Sequence, residues 1–367
     1  MTSLSPSPLT KSDPVDIAST PLGRPMTGIT TPLTQYMPWI RGHLTQGRSI
    51  TTYDARDFPI PEGTLRWIRE SGLFRVEELE RLEAYGIPLL AGVWSGHQGP
   101  DLIDVFLRPM TWISAIDDKI IEMGRADDAY LQACPRALRT GQLPADADLY
   151  HIAIRDIRDY FIARGAGGIL DELADDIAKW LAATHVEQQW RHTGAVPSVG
   201  DYLANRQVSV GAYPVHTLLR LTPDSLPPSE PVPSRIAELR WLVCRLIGLE
   251  NDIYSAHKEV HDGTGLTLLD VIQRNYGLDL PNSLAAALSI GSALRTQHDE
   301  LITAILQDPT LSSGARRFAE LLATVVDGQI EWALGSMRYG MQSFPPADVD
   351  LQTLPTQSRH GKSSPLI

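Results

Sequence analysis

The stretch N-D-I-Y-S-A-H-K-E, residues 251–259, places an amide, a hydroxyl and a carboxylate at intervals of four residues: Asn251, Ser255 and Glu259. Four residues turn an α-helix by about 400°, so each side chain is displaced by only about 40° from the one before it. The three side chains therefore share one helical face over about 12 Å of axis. Their oxygen atoms suit Mg²⁺ better than Zn²⁺ or copper. By itself the pattern also fits a solvated polar face, so the rest of the chain must decide between the two interpretations.

The composition limits what the protein can bind. The 367 residues are 43% hydrophobic, enough for a sizeable core, and 32 Lys and Arg against 44 Asp and Glu give a net charge of −12. This balance argues against binding to nucleic acids or to anionic membrane surfaces. Cys134 and Cys244 are far apart and outside any CxxC motif, so neither disulfides nor zinc are indicated. Without a signal-peptide pattern or a long apolar stretch, the sequence predicts a soluble cytoplasmic protein.

Helical periodicity runs through most of the chain. Apolar residues recur at helical steps in eight segments, residues 64–85, 99–125, 146–164, 168–192, 198–220, 234–260, 281–307 and 312–342. No alternating run supports a sheet, so we expect an all-α bundle with a single domain, residues 35–343. Residues 1–34 and 344–367 lack helical period and are predicted to be disordered tails. The proline-rich stretch 221–234 is predicted to be a surface loop.

A second acidic motif lies upstream, in T-W-I-S-A-I-D-D-K-I-I-E-M-G-R, residues 111–125. Asp117 and Asp118 are adjacent, Glu122 follows Asp118 by about one turn, and the rest of the helix is largely apolar. An adjacent carboxylate pair there costs like-charge repulsion unless cations compensate it. Alone, the motif also fits a helix end that emerges into water.

Two further elements complete a pattern. Arg206 lies 45 residues before Asn251, and residues 331–340, E-W-A-L-G-S-M-R-Y-G, supply four matching positions, Trp332, Ser336, Arg338 and Tyr339. Together with the two acidic motifs, which are 134 residues apart, these elements in this order resemble the class I terpene synthases of bacterial type. The resemblance covers most of the chain outside the two tails.

The resemblance implies a helical bundle of the class I terpenoid synthase type around a central active-site cavity. Asn251, Ser255 and Glu259 would hold one Mg²⁺ ion and Asp117 would bridge two more, whereas Asp118 and Glu122 match positions that bond basic residues. Three Mg²⁺ ions and four side chains would hold the substrate diphosphate: Arg206, Lys258, Arg338 and Tyr339. These cations would meet the charge that develops as the C–O bond of an allylic diphosphate breaks.

The stretch R-Q-V-S-V-G, residues 206–211, matches a place where relatives break a helix. By that pattern Arg206 senses the diphosphate, Ser209 links it to an effector carbonyl at Val210, and Gly211 allows the kink. The nearby Tyr213–Pro214 pair fits a broken helix because proline removes a donor. An ordinary packing kink is the alternative.

Aromatic side chains are expected to line the cavity, because ring faces stabilise a carbocation that water would destroy. The candidates are Trp112, Tyr213 and Trp332, each of which also fits a plain core position. Gln329 departs from the asparagine that relatives usually carry, which affects the subfamily and the product rather than the reaction class.

The expected reaction is Mg²⁺-dependent ionisation of farnesyl diphosphate and cyclisation to a sesquiterpene or its alcohol, by a monomer or homodimer. A C10, C11 or C20 diphosphate substrate and a non-catalytic helical interaction protein remain alternatives. A chain-elongating prenyl synthase would need a second DDxxD in place of the Asn/Ser/Glu triad. A class II cyclase would need a DxDD run, which D-A-D at 146–148 and D-V-D at 348–350 do not complete.

Overall fold

A computed structural model describes residues 31–96, 100–121, 127–262 and 266–347. These residues form α-helices joined by short turns and contain no strand, which confirms the all-α prediction. The helices are α1 Met37–Thr45, α2 Glu62–Ser71, α3 Val76–Ala84, α4 Ile87–Trp94, α5 Pro100–Ile116, α6 Asp128–Thr140, α7 Leu149–Ala163, α8 Leu170–Thr193, α9 Val199–Ser209, α10 Ala212–Leu218, α11 Ser234–Asp262, α12 Leu268–Tyr276, α13 Leu280–Leu306 and α14 Ser313–Gly335. Within these ranges no helix has both the length and the apolar content to span a bilayer.

The long helix α11 lies at the centre of the bundle. It packs against α9, α13 and α14, while α8 contacts α6, α9 and α10, and α4 contacts α5 and α14. Large side chains such as Trp112, Trp180 and Phe161 are almost wholly buried between these helices. Because each fully buried large apolar side chain contributes about 1.5–3 kcal/mol, the helices are held around α11 mainly by hydrophobic contact.

The helices that periodicity missed have identifiable reasons. In α4 all eight residues are buried, so the helix has no polar face and therefore no period to detect. Helix α6 carries Pro135 in its interior, a residue that usually ends a helix. The short helices α1 and α12 were also not predicted. Segment 64–85 is two helices because Gly72, at φ +69°, ends α2 in the left-handed conformation.

The N-terminal boundary of the domain lies earlier than predicted. Residues 31–34 are ordered, with the Leu33 side chain fully buried and the Thr31 hydroxyl 2.7 Å from Nδ1 of His257 on α11. The prediction of a disordered tail was therefore wrong for these four residues, because one leucine and one hydroxyl find partners that the local composition does not reveal. Residues 1–30 lie outside the described part of the chain.

The C-terminal boundary lies later than predicted, for a similar reason. The Ala347 N–H donates to the Pro38 carbonyl at 3.0 Å, and the Phe344 ring packs edge-on against His257 with centroids 5.8 Å apart. Residues 344–347 therefore belong to the folded domain, contrary to the prediction. Residues 348–367 are outside the described ranges.

The proline-rich loop after α10 is anchored to the core. The buried Arg220 donates to the carbonyls of Leu226, Pro227 and Glu230 at 3.4, 2.7 and 2.5 Å, and it also pairs with Glu172. The Leu226 side chain is 1% exposed. The loop is thus fixed to the bundle by one buried guanidinium.

Two truncations test the N-terminal boundary. Removing residues 1–30 retains Thr31 and Leu33 and should leave the melting temperature nearly unchanged. Removing residues 1–34 should lower it by a few degrees, because burial of Leu33 contributes about 2 kcal/mol. Thermal unfolding followed by circular dichroism compares the two proteins with the full chain. Equal melting temperatures for the two truncations would contradict the boundary at Thr31.

Candidate active-site cavity

A cavity opens between α4, α5, α8, α9, α10, α11 and α14 and encloses about 1350 Å³ of empty space, including its open side. On α5 and α11 the apolar lining residues precede the polar ones along the helix, so the cavity has an apolar end and a polar end. Met110 and Ile113 on α5 and Ile247 on α11 line the apolar end, and further apolar lining residues are Ile87, Leu90, Trp94 and Val215. The polar end is lined by Asp117, Asp118, Glu187, Arg191, Arg206, Asn251, Asp252, Ser255, Glu259 and Arg338.

Two adjacent carboxylates follow α5 in a π-helical turn, Asp117–Ile121. Burial and the neighbouring Asp118 carboxylate raise the pKa of Asp117 to about 7. Asp118 is 3% exposed; its Oδ1 lies 3.6 Å from Arg338 Nη2, and its buried Oδ2 has no hydrogen-bond partner in the described part of the chain. Such a pair has unmet demand for positive charge. Glu122 lies outside the described residues.

The three predicted ligands on α11 all line the cavity. Asn251, Ser255 and Glu259 succeed one another along the helix axis, as their spacing requires. Lys258 does not line the described cavity, but its Nζ lies 3.4 Å from Glu259 Oε1. The helix therefore presents an amide, a hydroxyl and a carboxylate oxygen to the space that the aspartate pair also lines.

Arg206 on α9 is bonded to this set. Its Nη2 donates to Asn251 Oδ1 and its Nε donates to Asp252 Oδ1, both at 2.7 Å, while Nη1 lies 3.8 Å from Glu187 Oε1. Although burial opposes it, the Asp252 and Glu187 carboxylates raise the pKa of Arg206 above its already high value. Asp252 also accepts the Tyr202 hydroxyl at 2.6 Å. The guanidinium thus donates a hydrogen bond to the amide oxygen of Asn251, a predicted metal ligand.

Sequence reasoning missed three charged residues that line the cavity: Asp252 on α11, and Glu187 and Arg191 on α8. Glu187 on α8 is 7% exposed and accepts a hydrogen bond from the Ser209 hydroxyl, and its Oε2 lies 3.8 Å from Arg191 Nη2. Glu187 and Arg191 sit in a helix with ordinary spacing of charges, and a Glu–Arg pair four residues apart is common on solvated helix surfaces. Only the packing of α8 against α9 turns this pair toward the cavity.

The helix is broken between α9 and α10. Helix α9 ends at Ser209, Gly211 adopts φ +77°, and α10 begins at Ala212. Trp180 Nε1 donates to the Ser209 carbonyl at 3.0 Å, and a Cβ at position 211 would approach that nitrogen to 3.3 Å. The Val210 carbonyl cannot form its usual helical bond, because the residue four positions later is Pro214, which has no N–H.

The aromatic predictions need two corrections. Trp332 lines the cavity and donates to the Tyr85 carbonyl at 2.9 Å. Trp112 does not line the cavity, because it lies five residues before Asp117 and therefore about 140° away around the helix. Its indole N–H donates to the Tyr150 carbonyl at 2.9 Å in the core. Tyr213 also points away from the cavity, with its ring beside Arg240.

The donor set fits a hard cation such as Mg²⁺. Amide, hydroxyl and carboxylate oxygens are ligands of this class. The Asp118 Oδ2 without a hydrogen-bond partner in the described part of the chain and the raised pKa of Asp117 indicate that the nearby arginines compensate the carboxylates only in part. Within the described ranges no three His, Cys, Asp or Glu side chains form a metal cluster by themselves. Any metal here would depend on Asn251, on Ser255 and on ligands that the substrate or water supplies.

Comparison with known proteins gives a consistent result. A family model described as terpene synthase family 2, C-terminal metal binding, matches residues 108–293, which is half of the chain. Phomopsene synthase of Allokutzneria albata is 28% identical over 58% of this chain, and the match covers 60% of that protein. (+)-T-muurolol synthase of Streptomyces clavuligerus, whose name specifies (2E,6E)-farnesyl diphosphate cyclizing, is 26% identical over 76% of this chain and 69% of its own length.

A solved structure shares the fold. That of 2-methylisoborneol synthase from Streptomyces coelicolor, in complex with Mg²⁺ and 2-fluoroneryl diphosphate, superposes with a TM-score of 0.69 at 21% identity, over 82% of this chain and 97% of that one. In sequence, the chain spans less than two thirds of phomopsene synthase and 47% of the Streptomyces coelicolor 2-methylisoborneol synthase.

The aspartate pair predicts a stability change that depends on pH. The pKa of Asp117 rises from 3.8 to about 7 on folding. The folded state therefore loses stability as the pH rises from about 4 to 7, because the buried carboxyl must ionise. In EDTA, Asp117→Asn should therefore melt at a higher temperature than the wild type at pH 8, with a smaller difference at pH 5. Asp159→Asn, at an exposed carboxylate, is the control and should show no such trend. A lower melting temperature of Asp117→Asn at pH 8 would contradict the uncompensated pair.

Proposed function

The chain belongs to terpene synthase family 2, and we propose that it is a class I terpene synthase that ionises an allylic prenyl diphosphate with the help of Mg²⁺ and cyclises the resulting carbocation. The observation that carries the proposal is the meeting of two oxygen-rich motifs, 134 residues apart in sequence, at the polar end of one cavity whose other end is apolar. Carbon–oxygen heterolysis needs both environments: fixed cations for the leaving diphosphate and a dry apolar surface for the cation.

The metal ligands follow from the donor set. One Mg²⁺ ion would be held by Asn251, Ser255 and Glu259, and Asp117 would bridge two others. Asp118 would keep the pairing with Arg338 that the structure shows at 3.6 Å. Bound Mg²⁺ would supply Lewis acidity toward the diphosphate oxygens. The complex of 2-methylisoborneol synthase with Mg²⁺ and a diphosphate supports the choice of metal; three ions are part of the proposal.

Basic side chains would bind the leaving diphosphate from the protein side. Arg206, Arg338 and Tyr339 all line the cavity, and Arg338 lies beside Asp118. Arg206 would exchange Asn251 for a diphosphate oxygen, since planar guanidinium forks bind phosphate well. Lys258, beside Glu259, would add a point charge.

The break between α9 and α10 would couple the diphosphate to the hydrocarbon. Ser209 bonds Glu187 and lies 3.5 Å from Arg206 Nη1, so movement of Arg206 changes the contacts of Ser209. The next carbonyl, that of Val210, lacks its helical donor because of Pro214 and belongs to a residue that lines the cavity. Its negative end would stabilise positive charge near the reacting carbon.

Farnesyl diphosphate is the proposed substrate. The relative named for cyclising (2E,6E)-farnesyl diphosphate supports this length. On α5 the first lining residue along the helix, Met110, precedes Asp117 by seven residues, which corresponds to about 10 Å of helix. On α8, Thr184 precedes Arg191 by the same interval. An extended chain of many isoprene units does not fit such a depth, so a substrate must fold, and a C15 chain folds within it more readily than a C20 chain.

Removal of single ligands tests the proposed chemistry. Wild-type protein with Mg²⁺ and farnesyl diphosphate should release inorganic diphosphate, and Asn251→Ala or Glu259→Gln should reduce the rate by at least about 100-fold, since each removes an oxygen that holds the metal. Helix content by circular dichroism should be unchanged. Glu238→Gln, at an exposed position on the same helix, is the matched control and should retain the wild-type rate. Wild-type protein that releases no diphosphate from C10, C15 or C20 substrates would refute the proposal.

Met110 tests the chain length. Met110→Ala should raise the kcat/KM for geranylgeranyl diphosphate relative to farnesyl diphosphate by about tenfold, or about 1.4 kcal/mol, because it deepens the apolar end. Met37→Ala removes another buried methionine outside the cavity and should leave the ratio unchanged. A tenfold preference of the wild type for geranylgeranyl diphosphate would overturn the C15 assignment without affecting the ionisation mechanism.

A further inference from the structure

The amide of Asn251 is held at both of its ends. Its oxygen, the proposed metal ligand, accepts a hydrogen bond from Arg206 Nη2 at 2.7 Å. Its nitrogen donates to the Tyr254 hydroxyl oxygen at 2.8 Å. A metal ion at this oxygen would compete with Arg206 for it, whereas the bond to Tyr254 lies on the other end of the amide and can persist.

The Tyr254 hydroxyl is itself fixed from a second helix. Its oxygen also accepts a hydrogen bond from the side-chain amide of Gln329 on α14. The Tyr254 ring is fully buried and packs edge-on against Tyr339 with centroids 4.7 Å apart. The phenol therefore has little freedom to rotate, and its position relative to α11 is set by α14.

The side-chain amide of Gln329 is buried but only partly hydrogen-bonded, which filling space alone does not require. Its side chain is 2% exposed, and its Oε1 is buried without a hydrogen-bond partner among the residues described. A buried acceptor without a partner costs stability, and an apolar residue of similar size would avoid that cost. The contact that the amide does make, to Tyr254, is the one that leads to the metal ligand.

The orientation of an asparagine ligand matters because its two ends have opposite chemistry. The amide oxygen can coordinate a cation, whereas the NH₂ group has no lone pair to offer and carries partial positive charge. Rotation of the amide by half a turn would replace a ligand with a repulsive group. Residues that fix the non-ligating end of a metal ligand commonly change metal affinity by about 10–100-fold when they are altered.

We propose that Tyr254 and Gln329 are positioning residues that orient the Asn251 amide so that its oxygen faces the metal. The inference rests on the proposed function, because it assumes that Asn251 binds Mg²⁺. Tyr254 acts directly on the Asn251 nitrogen, and Gln329 acts through Tyr254. Neither residue was among the predicted site residues, and the contact between them joins two helices that are 75 residues apart in sequence at this point.

Tyr254→Phe removes the hydroxyl and keeps the ring. The readout is the Mg²⁺ concentration that gives half of the increase in melting temperature in the presence of inorganic diphosphate. We expect this concentration to rise tenfold or more, while kcat at saturating Mg²⁺ falls by only a few fold, because the amide still coordinates when enough metal selects the correct rotamer. Tyr160→Phe, which removes a hydroxyl bonded to Asp104 at 2.6 Å on another helix, is the matched control and should leave the Mg²⁺ requirement unchanged.

Gln329→Leu provides the second variant and should shift the Mg²⁺ requirement in the same direction by less. Because both residues act through one hydroxyl, the double variant should shift it no further than Tyr254→Phe alone. An unchanged Mg²⁺ requirement in both single variants, additive shifts in the double variant, or an equal shift in Tyr160→Phe would overturn the inference. If the wild type itself gains no stability from Mg²⁺ with diphosphate, the metal site and hence the proposed function fail instead.

Discussion

The hydrogen bond between Arg206 and Asn251 belongs to a cavity that must accommodate several buried carboxylates close together. Five carboxylates, those of Asp117, Asp118, Glu187, Asp252 and Glu259, line one end of it. Carboxylates this close to one another and removed from water raise each other's pKa and destabilise the fold unless cations lie among them. Arginines supply part of that charge: Arg206 between Asn251, Asp252 and Glu187, and Arg338 beside Asp118. Compensation at Asp117 is incomplete, because burial and the neighbouring Asp118 carboxylate raise its pKa to about 7.

Burial of apolar side chains in the helical bundle offsets the free-energy cost of this concentration of charge. On α5 and α11 the charged residues follow an apolar stretch of the chain, so that these helices supply both hydrophobic core and the polar end of the cavity. On α5 the sequence from Met110 to Ile116 is almost entirely buried or cavity-lining before Asp117 is reached. Helix α11 repeats the arrangement, with Ile247 one turn before Asn251. The stability that the apolar surfaces contribute offsets the cost of the carboxylates, as is common in sites that sacrifice stability for function.

Relations within one helix could be predicted from sequence, and relations between helices could not. The fixed rise and rotation of a helix bring Asn251, Ser255 and Glu259 to one wall, and the same geometry turns Trp112 into the core while Ile113 lines the cavity. The Trp112 prediction was wrong because closeness in sequence to Asp117 does not place two side chains on the same helical face. Five residues turn the helix by about 140°. The C-terminal boundary failed for another reason: Phe344 packs on His257, a partner 87 residues away, which no local pattern records.

Several residues that sequence missed connect one helix to another. Glu187 joins α8 to Ser209 and Arg206 on α9, and Gln329 joins α14 to Tyr254 on α11. Their side chains make these bonds only because the packing of four helices places them within reach, so their own flanking sequence carries no signal. The two connections meet at Asn251, since Arg206 holds its oxygen and Tyr254 its nitrogen. A metal ion at the Asn251 oxygen would compete with Arg206 for that oxygen and would leave the bond to Tyr254 intact. In the proposed function, metal binding at Asn251 would free Arg206 for the diphosphate while Tyr254 keeps the amide oriented, so this single amide would couple the two halves of the site.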